Sequence, residues 1–391
     1  MTSPRPYYVA GRPEAPNGEL VVLDKHTGAV AARVALADDA AMERAIALAW
    51  GGWGRVGSNP LVGALVLRGG KVVGEGYHAE FGGPHGEVVA LRAAGKRARG
   101  ADLVVTLEPC THQGKTPPCT EAIVAAGIRR VVFAAPDADP RARGGARVLR
   151  KAGLAIEHGL LDPDVRAQNA VFFHRHAAPD RPFVAVKLAV SLDGSIADRG
   201  RRSKWLTGTD ARAWTHWLRA GFDAIAVGVG TVRSDDPRLT VRGTLTPLAV
   251  PLRVVFDNRA ETPTDATLVR EPAPPVLVLA APKAPRTNLE ALRLRGVDLV
   301  MAAGLRRQLR ALKSRGVESL LVEGGGVLAG RLLAQGLVDR LYLITAPLLL
   351  GRDGVPAFGA LRGVRLDRAK RWRTVGRKRL GADTLLVLDR P

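Results

Sequence analysis

Short β-branched runs alternate with longer helical patterns along most of the chain, and this alternation restricts the fold more than any other feature. The first series opens with "VGALVLRGGKVVGEGYH", two strands about a Gly-Gly turn, and the helix "PHGEVVALRAAGKRA". The strand "ADLVVTLE", the helix "CTEAIVAAG" ending at Gly127 and the strand "IRRVVFAA" follow, then the helix "GGARVLRKAG" and the strand "LAIEHG". A second series starts at "FVAVKLAVS" and runs through "DAIAVGVGT", "LRVVFDN", "PVLVLAA", "ESLLVEGG" and "LYLITAPLLL" to a last strand "DTLLVLDR". Between the two, "AAPDRP" carries two prolines and no periodicity, which puts a domain boundary near Pro179. The pattern predicts two α/β domains, residues 41–178 and 182–391, with Pro-rich loops at 246–251 and 271–275.

Residues 1–40 fall outside both series. Their text "YYVAGRPEAPNGELVVLDKHTGAVAARVAL" resembles the extreme N-terminus of aldehyde dehydrogenases, without any catalytic part of that family. An extension of unassigned role is expected, with Met42 opening the functional chain.

The charge is strongly positive: 58 Lys+Arg against 37 Asp+Glu, a formal +21 over 391 residues. A nucleic-acid surface is one reading. The basic residues are dispersed, though, apart from concentrations such as "RAKRWRTVGRKR", and aromatics that could stack bases make up only 5%. An anionic, phosphate-bearing small substrate accounts for the charge equally well. No apolar run approaches eighteen residues and "MTSPRPYYVAG" has no apolar core behind a basic start, so no membrane association is expected. Two cysteines cannot staple a chain this long, which argues for a reducing, cytoplasmic setting. A homo-oligomer is compatible with all of this.

Both cysteines lie in "LEPCTHQGKTPPC", with residues 111–118 between them. They can be a disulfide, a redox pair or two ligands of a metal. A metal needs further donors, and Pro84-His85-Gly86-Glu87 supplies one at the start of the preceding helix. His85, Cys110 and Cys119 form the three-ligand set of a catalytic zinc, whereas a closed structural zinc would need a fourth donor such as His112. Cys119 at a helix start favours thiolate. Glu87, two residues past the histidine, is close enough to take a proton from water and return it to a leaving amine. That is the H-x-E … P-C … C logic of zinc-dependent nucleobase deaminases, although the usual P-C-x-x-C is widened here by the inserted loop.

The segments "NPLVGALVLRGGKVVGEGYH", "PHGEVVALRAAG" and "VTLEPCTHQGKTPPC" resemble the deaminase half of the bifunctional riboflavin-biosynthesis deaminase/reductase family. The resemblance implies a cytidine-deaminase-like fold and deamination of 2,5-diamino-6-(5-phosphoribosylamino)pyrimidin-4(3H)-one. It makes His85, Cys110 and Cys119 the ligands of one zinc per chain, Glu87 the proton shuttle, and Asn59, His78 and Lys115 substrate contacts. Gly86 departs from the alanine usual in the family and would soften the helix start by roughly 1 kcal/mol.

In the second half, "SLLVEGGGVLAGRLLAQG" reads as strand, Gly turn and helix, an arrangement suited to a pyrophosphate and equally to any tight turn. The neighbouring "VKLAVSLDGSIA", "SKWLTG", "LRAGFDAIAVGVGTVRSDDPRLTVR" and "VEGG" resemble the reductase half of the same family. This implies a dihydrofolate-reductase-like fold, NADPH as cofactor and a phosphoribosylaminopyrimidine as substrate. By the resemblance Trp205, Thr231, Asp235, Gly325 and Gly326 hold NADPH, while Ser203, Arg219, Leu239, Arg242 and Glu323 hold substrate. Lys187 and Asp193 stand near the expected path of hydride, with Lys187 a proton donor or a structural ion-pair partner. At the strand end Asp257-Asn258-Arg259, Asp257 would suit the ribose hydroxyl of NAD, and Arg259 would attract the 2′-phosphate of NADP. The rival readings are a nucleic-acid-editing zinc deaminase and a zinc-stabilised binding protein without catalysis.

Overall fold

The computed structural model describes residues 38–391 apart from 205, 244, 272 and 273, and the backbone alone of 7–9, 12–14, 20–23, 30–34 and 37. It divides into two compact units, Met1–Asn169 and Ala170–Pro391. At the N-terminus β1 (Tyr7–Val9) pairs with β2 (Arg12–Glu14), and β3 (Leu20–Leu23) with β4 (Val30–Val34), both antiparallel.

The remainder of the first unit is a sheet of five strands with helices packed against it. Its elements are α1 (Ala37–Ala49), β5 (Gly63–Arg68), β6 (Lys71–Tyr77), α2 (Gly86–Ala94), β7 (Asp102–Leu107) and α3 (Cys119–Ala125). β8 (Arg130–Ala135), α4 (Gly145–Lys151), β9 (Ala155–His158) and α5 (Asp162–Gln168) complete it. The order is β6-β5-β7-β8-β9, with β5 antiparallel to both neighbours and β7, β8 and β9 parallel. β7 is buried along its entire length, its two polar residues satisfied by partners: Asp102 pairs with Arg130 at 3.1 Å, and Thr106 Oγ1 accepts from the Gly63 N–H at 3.2 Å. The ends of β7 and β8 therefore open on the same edge of the sheet.

Helix α1 begins ahead of Met42, whose side chain is wholly buried. Asp38 in its first turn accepts two bonds from the Arg130 guanidinium, each 3.0 Å. A chain shortened to begin at Met42 is thus expected to lose about 1 kcal/mol with that partly buried pair. Urea unfolding checks this; an unchanged midpoint would show the first turn to be idle.

The second unit holds α6 (Ala170–Ala177), β10 (Phe183–Ser191), β11 (Ser195–Ala197), α7 (Thr209–Arg219), β12 (Ala224–Gly228), α8 (Val229–Asp235), β13 (Leu252–Phe256) and α9 (Thr267–Arg270). β14 (Val276–Ala280), α10 (Arg286–Arg293), β15 (Asp298–Met301), α11 (Leu305–Lys313), β16 (Ser319–Glu323) and α12 (Gly326–Ala334) follow. The chain ends in β17 (Arg340–Ala346), β18 (Val355–Pro356), β19 (Arg373–Leu380) and β20 (Asp383–Asp389). Its main sheet is ordered β15-β14-β13-β12-β16-β10-β17-β20-β19. From β15 to β17 neighbours run parallel, and β20 and β19 are antiparallel additions. Alternate residues sort to two cores. Ala224, Ala226, Leu277 and Leu279 join Leu309 and Leu332, whereas Ile225, Val227, Val276 and Val278 join Leu268, Leu289 and Leu292. The central parallel strands are buried, unlike the edge strand β15, so the ends of β10, β12, β13 and β16 are what remains to build a site.

The division after Asn169 differs from the boundary expected near Pro179. Helix α6 groups with the second unit because His174 packs edge-on against Phe183 on β10, its Nδ1 3.8 Å from Asp339. β17 stops at Ala346, before Pro347, so "PLLL" is not strand: proline has no N–H for the ladder. Four strands of the second unit lack a counterpart in the sequence pattern, two of them the very short β11 and β18, of three and two residues. β15 is four residues long, and β19 is a basic outer strand whose Arg373, Arg377, Lys378 and Arg379 face solvent.

Candidate active sites

In the first unit, β7 delivers Glu108-Pro109-Cys110 to the sheet edge, and α2 and α3 start beside it. His85 is the N-cap of α2, in extended conformation, and its side chain makes no capping bond. The ring is free to face the thiols instead. Its Nδ1 lies 3.1 Å from Cys119 Sγ and 3.5 Å from Cys110 Sγ, and the Cys119 N–H donates to Cys110 Sγ at 3.4 Å. All three potential ligand atoms fall within 4.8 Å of one another. Both cysteines are free and buried, which removes the disulfide reading. Among the described residues His112 is not part of this group, so no fourth donor closes it.

The electrostatics call for a cation. The hydrogen bond from Cys119, with His85 beside it, pulls the Cys110 thiol down to about 4 despite burial. The same shared bond, then burial, pushes Cys119 up. His85 is raised, chiefly by its bond to Cys110 and against burial. Two buried thiols sharing one negative charge are the situation a divalent cation resolves, by letting both ionise. Glu87, 3% exposed, has its Oε2 without a hydrogen-bond partner, and burial raises its carboxyl. His78 presents a second orphan: Nδ1 is 3.1 Å from the Pro84 carbonyl oxygen, while the buried Nε2 has no partner. Its ring stands edge-on to His85 at 5.4 Å. The donor set and the two orphaned atoms fit zinc and a polar substrate.

Lys115 is exposed in the inserted loop, its Nζ 4.0 Å above the Phe81 ring. Asn59 is half-buried in the approach to β5. At Gly86, a Cβ would stand 2.9 Å from the Val62 carbonyl oxygen. In this chain the residue answers to that close approach rather than to helix propensity. Two residues here escaped the sequence pattern. Glu108 accepts N–H bonds from Asp137, Gly144 and Ala146 at 3.3, 3.1 and 3.0 Å and so ties the β8–α4 loop to the cysteine loop. Burial raises Asp137 to about 7, near enough to His85 and Cys110 to feel their charges. Its signal was present, since a carboxylate just past a parallel strand end is where α/β sheets gather ligand groups.

The second unit contains a cleft of about 1070 Å³ over the strand ends. Of the expected substrate contacts, Lys187, Ser203, Arg219, Leu239 and Glu323 line it. Arg242 does not; it is exposed, and its backbone N–H donates to His216 Nδ1 at 3.2 Å. Of the expected cofactor contacts, Thr231, Asp235, Gly325, Gly326 and Arg259 line the cleft, while Trp205 lies outside the described residues. Ser203 Oγ donates to Asp235 at 3.2 Å.

Lys187 on β10 stands directly opposite Glu323 on β16. Arg219 is no solvated surface group. It grips Glu323 with two bonds, 2.6 and 3.0 Å, and the Thr240 carbonyl at 2.8 Å. Burial would raise Glu323, but Arg219 and then Lys187 hold it below the usual carboxylate range. Burial lowers Lys187, against the pull of Glu323. Asp193 does not serve this cleft: it takes the Ser191 hydroxyl and the N–H groups of Leu350 and Gly351, the last at 2.7 Å, and so holds a loop. Asp257 is likewise committed. Buried at the cleft wall, its Oδ2 accepts from the Thr262 N–H at 2.6 Å and hydroxyl at 2.8 Å and its Oδ1 from the Arg259 N–H at 3.3 Å, so it braces the turn that carries Arg259.

The Gly turn fits a pyrophosphate. Gly324 and Gly325 have φ of 68° and 72°, and a Cβ on Gly325 would lie 3.0 Å from Thr231 Oγ1. A Cβ on Gly326 would meet the carbonyl oxygens of Pro356 and Ala357 at 2.6 and 2.8 Å. Gly326→Ala is therefore expected to displace the α12 start, costing about 1–3 kcal/mol and raising the Michaelis constant for nicotinamide cofactor about tenfold. Kinetics of both halves check it, since deamination should survive.

Comparison with known proteins gives these sites their class. Residues 36–135 match the cytidine and deoxycytidylate deaminase zinc-binding region, and residues 182–386 match the RibD C-terminal domain. The chain is accordingly a zinc-type deaminase joined to a reductase. Riboflavin biosynthesis protein RibD of Aquifex aeolicus is 38% identical over 353 residues, 89% of this chain and 97% of that one. RibD of Escherichia coli is 38% identical over 81% of this chain and 89% of its own. The solved diaminohydroxyphosphoribosylaminopyrimidine deaminase/5-amino-6-(5-phosphoribosylamino)uracil reductase of Thermotoga maritima superposes with a TM-score of 0.76 at 33% identity, over 90% and 98% of the two chains. The chain belongs to the RibD family of riboflavin-biosynthesis deaminase/reductases.

Proposed function

We propose that this chain performs two consecutive steps of riboflavin synthesis. It hydrolytically deaminates 2,5-diamino-6-(5-phosphoribosylamino)pyrimidin-4(3H)-one, then reduces the ribosyl side chain with NADPH to give 5-amino-6-(5-phosphoribitylamino)uracil. The observation that carries the reading is the convergence of His85, Cys110 and Cys119 within 4.8 Å beside the orphaned, buried Glu87 Oε2. A catalytically dead zinc fold would have no use for that carboxylate.

In the first unit His85, Cys110 and Cys119 would hold zinc, which when bound supplies the Lewis acidity that makes water nucleophilic at neutral pH. Glu87 takes a proton from the attacking water and returns it to the departing amine, so ammonia leaves and a carbonyl remains. Burial helps, because a carboxyl raised above its usual range can both accept and give that proton. His78 Nε2 is available to the pyrimidine and Lys115 to the phosphate. We infer cytoplasmic work, because free thiols at a metal site need reducing surroundings. No described helix is long and apolar enough to cross a membrane.

In the second unit Thr231, Asp235, Gly325 and Gly326 would hold NADPH, which when bound supplies hydride. The ribosylamine must be ring-opened to an imine, so that hydride adds at C1′ and a proton goes to the nitrogen. Lys187 gives that proton. Its lowered basicity makes it the better acid, and the Arg219–Glu323 pair fixes its surroundings. Incubating the zinc-loaded protein with the phosphoribosyl diaminopyrimidinone, with and without NADPH, tests the whole scheme. Ammonia should appear in both cases and cofactor oxidation only with NADPH. Ammonia-free oxidation, or neither signal, would reject the order of steps.

A further inference from the structure

The cleft of the second unit has two chemically different ends. Lys187, Arg219 and Glu323 occupy one, on β10, α7 and β16. Asn258, Gly304, Gln308, Arg331 and Gln335 line the other, after β13 and β15 and along α12. Side chains knit this second end together: Gln308 Nε2 donates to Asn258 Oδ1 at 3.1 Å, and the Arg306 guanidinium to the Gln335 carbonyl at 2.8 Å. A dinucleotide with its pyrophosphate at Gly325-Gly326 and its nicotinamide toward Lys187 has only this end left for adenosine. The cation that recognises a 2′-phosphate must stand there.

Two arginines qualify by position, Arg259 and Arg331. Arg259 is engaged. Its Nε donates to Glu261 at 2.6 Å, and Glu261 also takes Arg233 at 3.0 Å. A phosphate approaching Arg259 would meet that carboxylate. Arg331 is exposed, and its guanidinium has no ion-pair or hydrogen-bond partner among the described residues. It sits five residues past Gly326 in the same helix, about 7.5 Å along the axis. A guanidinium with all its donors open suits a dianionic phosphate.

We infer that Arg331, rather than Arg259, reads the 2′-phosphate of NADPH and sets the preference over NADH. The inference rests on the NADPH-dependent reduction proposed above. Calorimetric binding of 2′,5′-ADP and of 5′-AMP tests it without catalysis, alongside Michaelis constants for NADPH and NADH. Arg331→Gln should weaken 2′,5′-ADP about tenfold or more while 5′-AMP changes less than about twofold. Arg331→Lys should recover part of the loss, and Arg259→Gln should move neither ligand by more than about threefold. Selective loss in Arg259→Gln with Arg331→Gln silent would overturn the assignment, as would equal weakening of both ligands by Arg331→Gln. If the unaltered protein binds 2′,5′-ADP no better than 5′-AMP and uses NADH as well as NADPH, the cofactor reading falls and this inference with it.

Discussion

Glu87→Gln is expected to retain about one zinc per chain yet lower deamination by about 10²–10⁴-fold, the range a positioned acid–base group supplies. Glutamine keeps the size of the buried side chain, 3% exposed, so neither packing nor the three converging ligand atoms should change. What disappears is the capacity to accept a proton and give it back. Ammonia release reports the loss, metal analysis the retained zinc, and reduction of supplied 5-amino-6-(5-phosphoribosylamino)uracil the intact second unit. If reduction falls in step with deamination, two independent sites cannot be right.

Cys119→Ser should be the more severe change, losing the metal as well as the chemistry. Cys119 is wholly buried, and its Sγ lies closer to His85 Nδ1 than does that of Cys110, 3.1 against 3.5 Å. A serine hydroxyl does not ionise there and is a poor zinc ligand, so two donors remain where a catalytic site needs three. Deamination should drop to background and zinc should dialyse away, while the reductase half continues. Full zinc retention in Cys119→Ser would remove that residue from the ligand set.

The metal site was legible because its residues are near in sequence to the elements that aim them. His85-x-Glu87 starts a helix, Cys110 follows the end of a strand by three residues and Cys119 starts the next helix, so the strand–helix alternation brings them to one sheet edge. The reductase cleft was legible only in outline. Arg219 and Glu323 are 104 residues apart, and nothing local announces that each is the other's partner. Asp193 and Asp257 looked available because sequence shows a carboxylate's position and not whether backbone N–H groups have already claimed it. Arg242 is close in the chain to residues of the cleft but is exposed and not among those that line it. β19 was missed for a different reason. The strand signal is apolar alternation, and an outermost strand packed on little has no need of it.

That outermost strand has a consequence for how the protein behaves in solution. The free side of β19 offers a row of N–H and C=O groups to any other extended chain, and Arg373, Arg377, Lys378 and Arg379 surround it with positive charge. Two such edges repel before their ladders can join. A register shift between Thr374 and Gly376 breaks the edge in one place, but the rest of the protection is ionic, and its reach shrinks to about 3 Å in 1 M salt. Concentrated salt should therefore not merely screen this protein but unmask it, turning a repelling border into one that zips to its own copies.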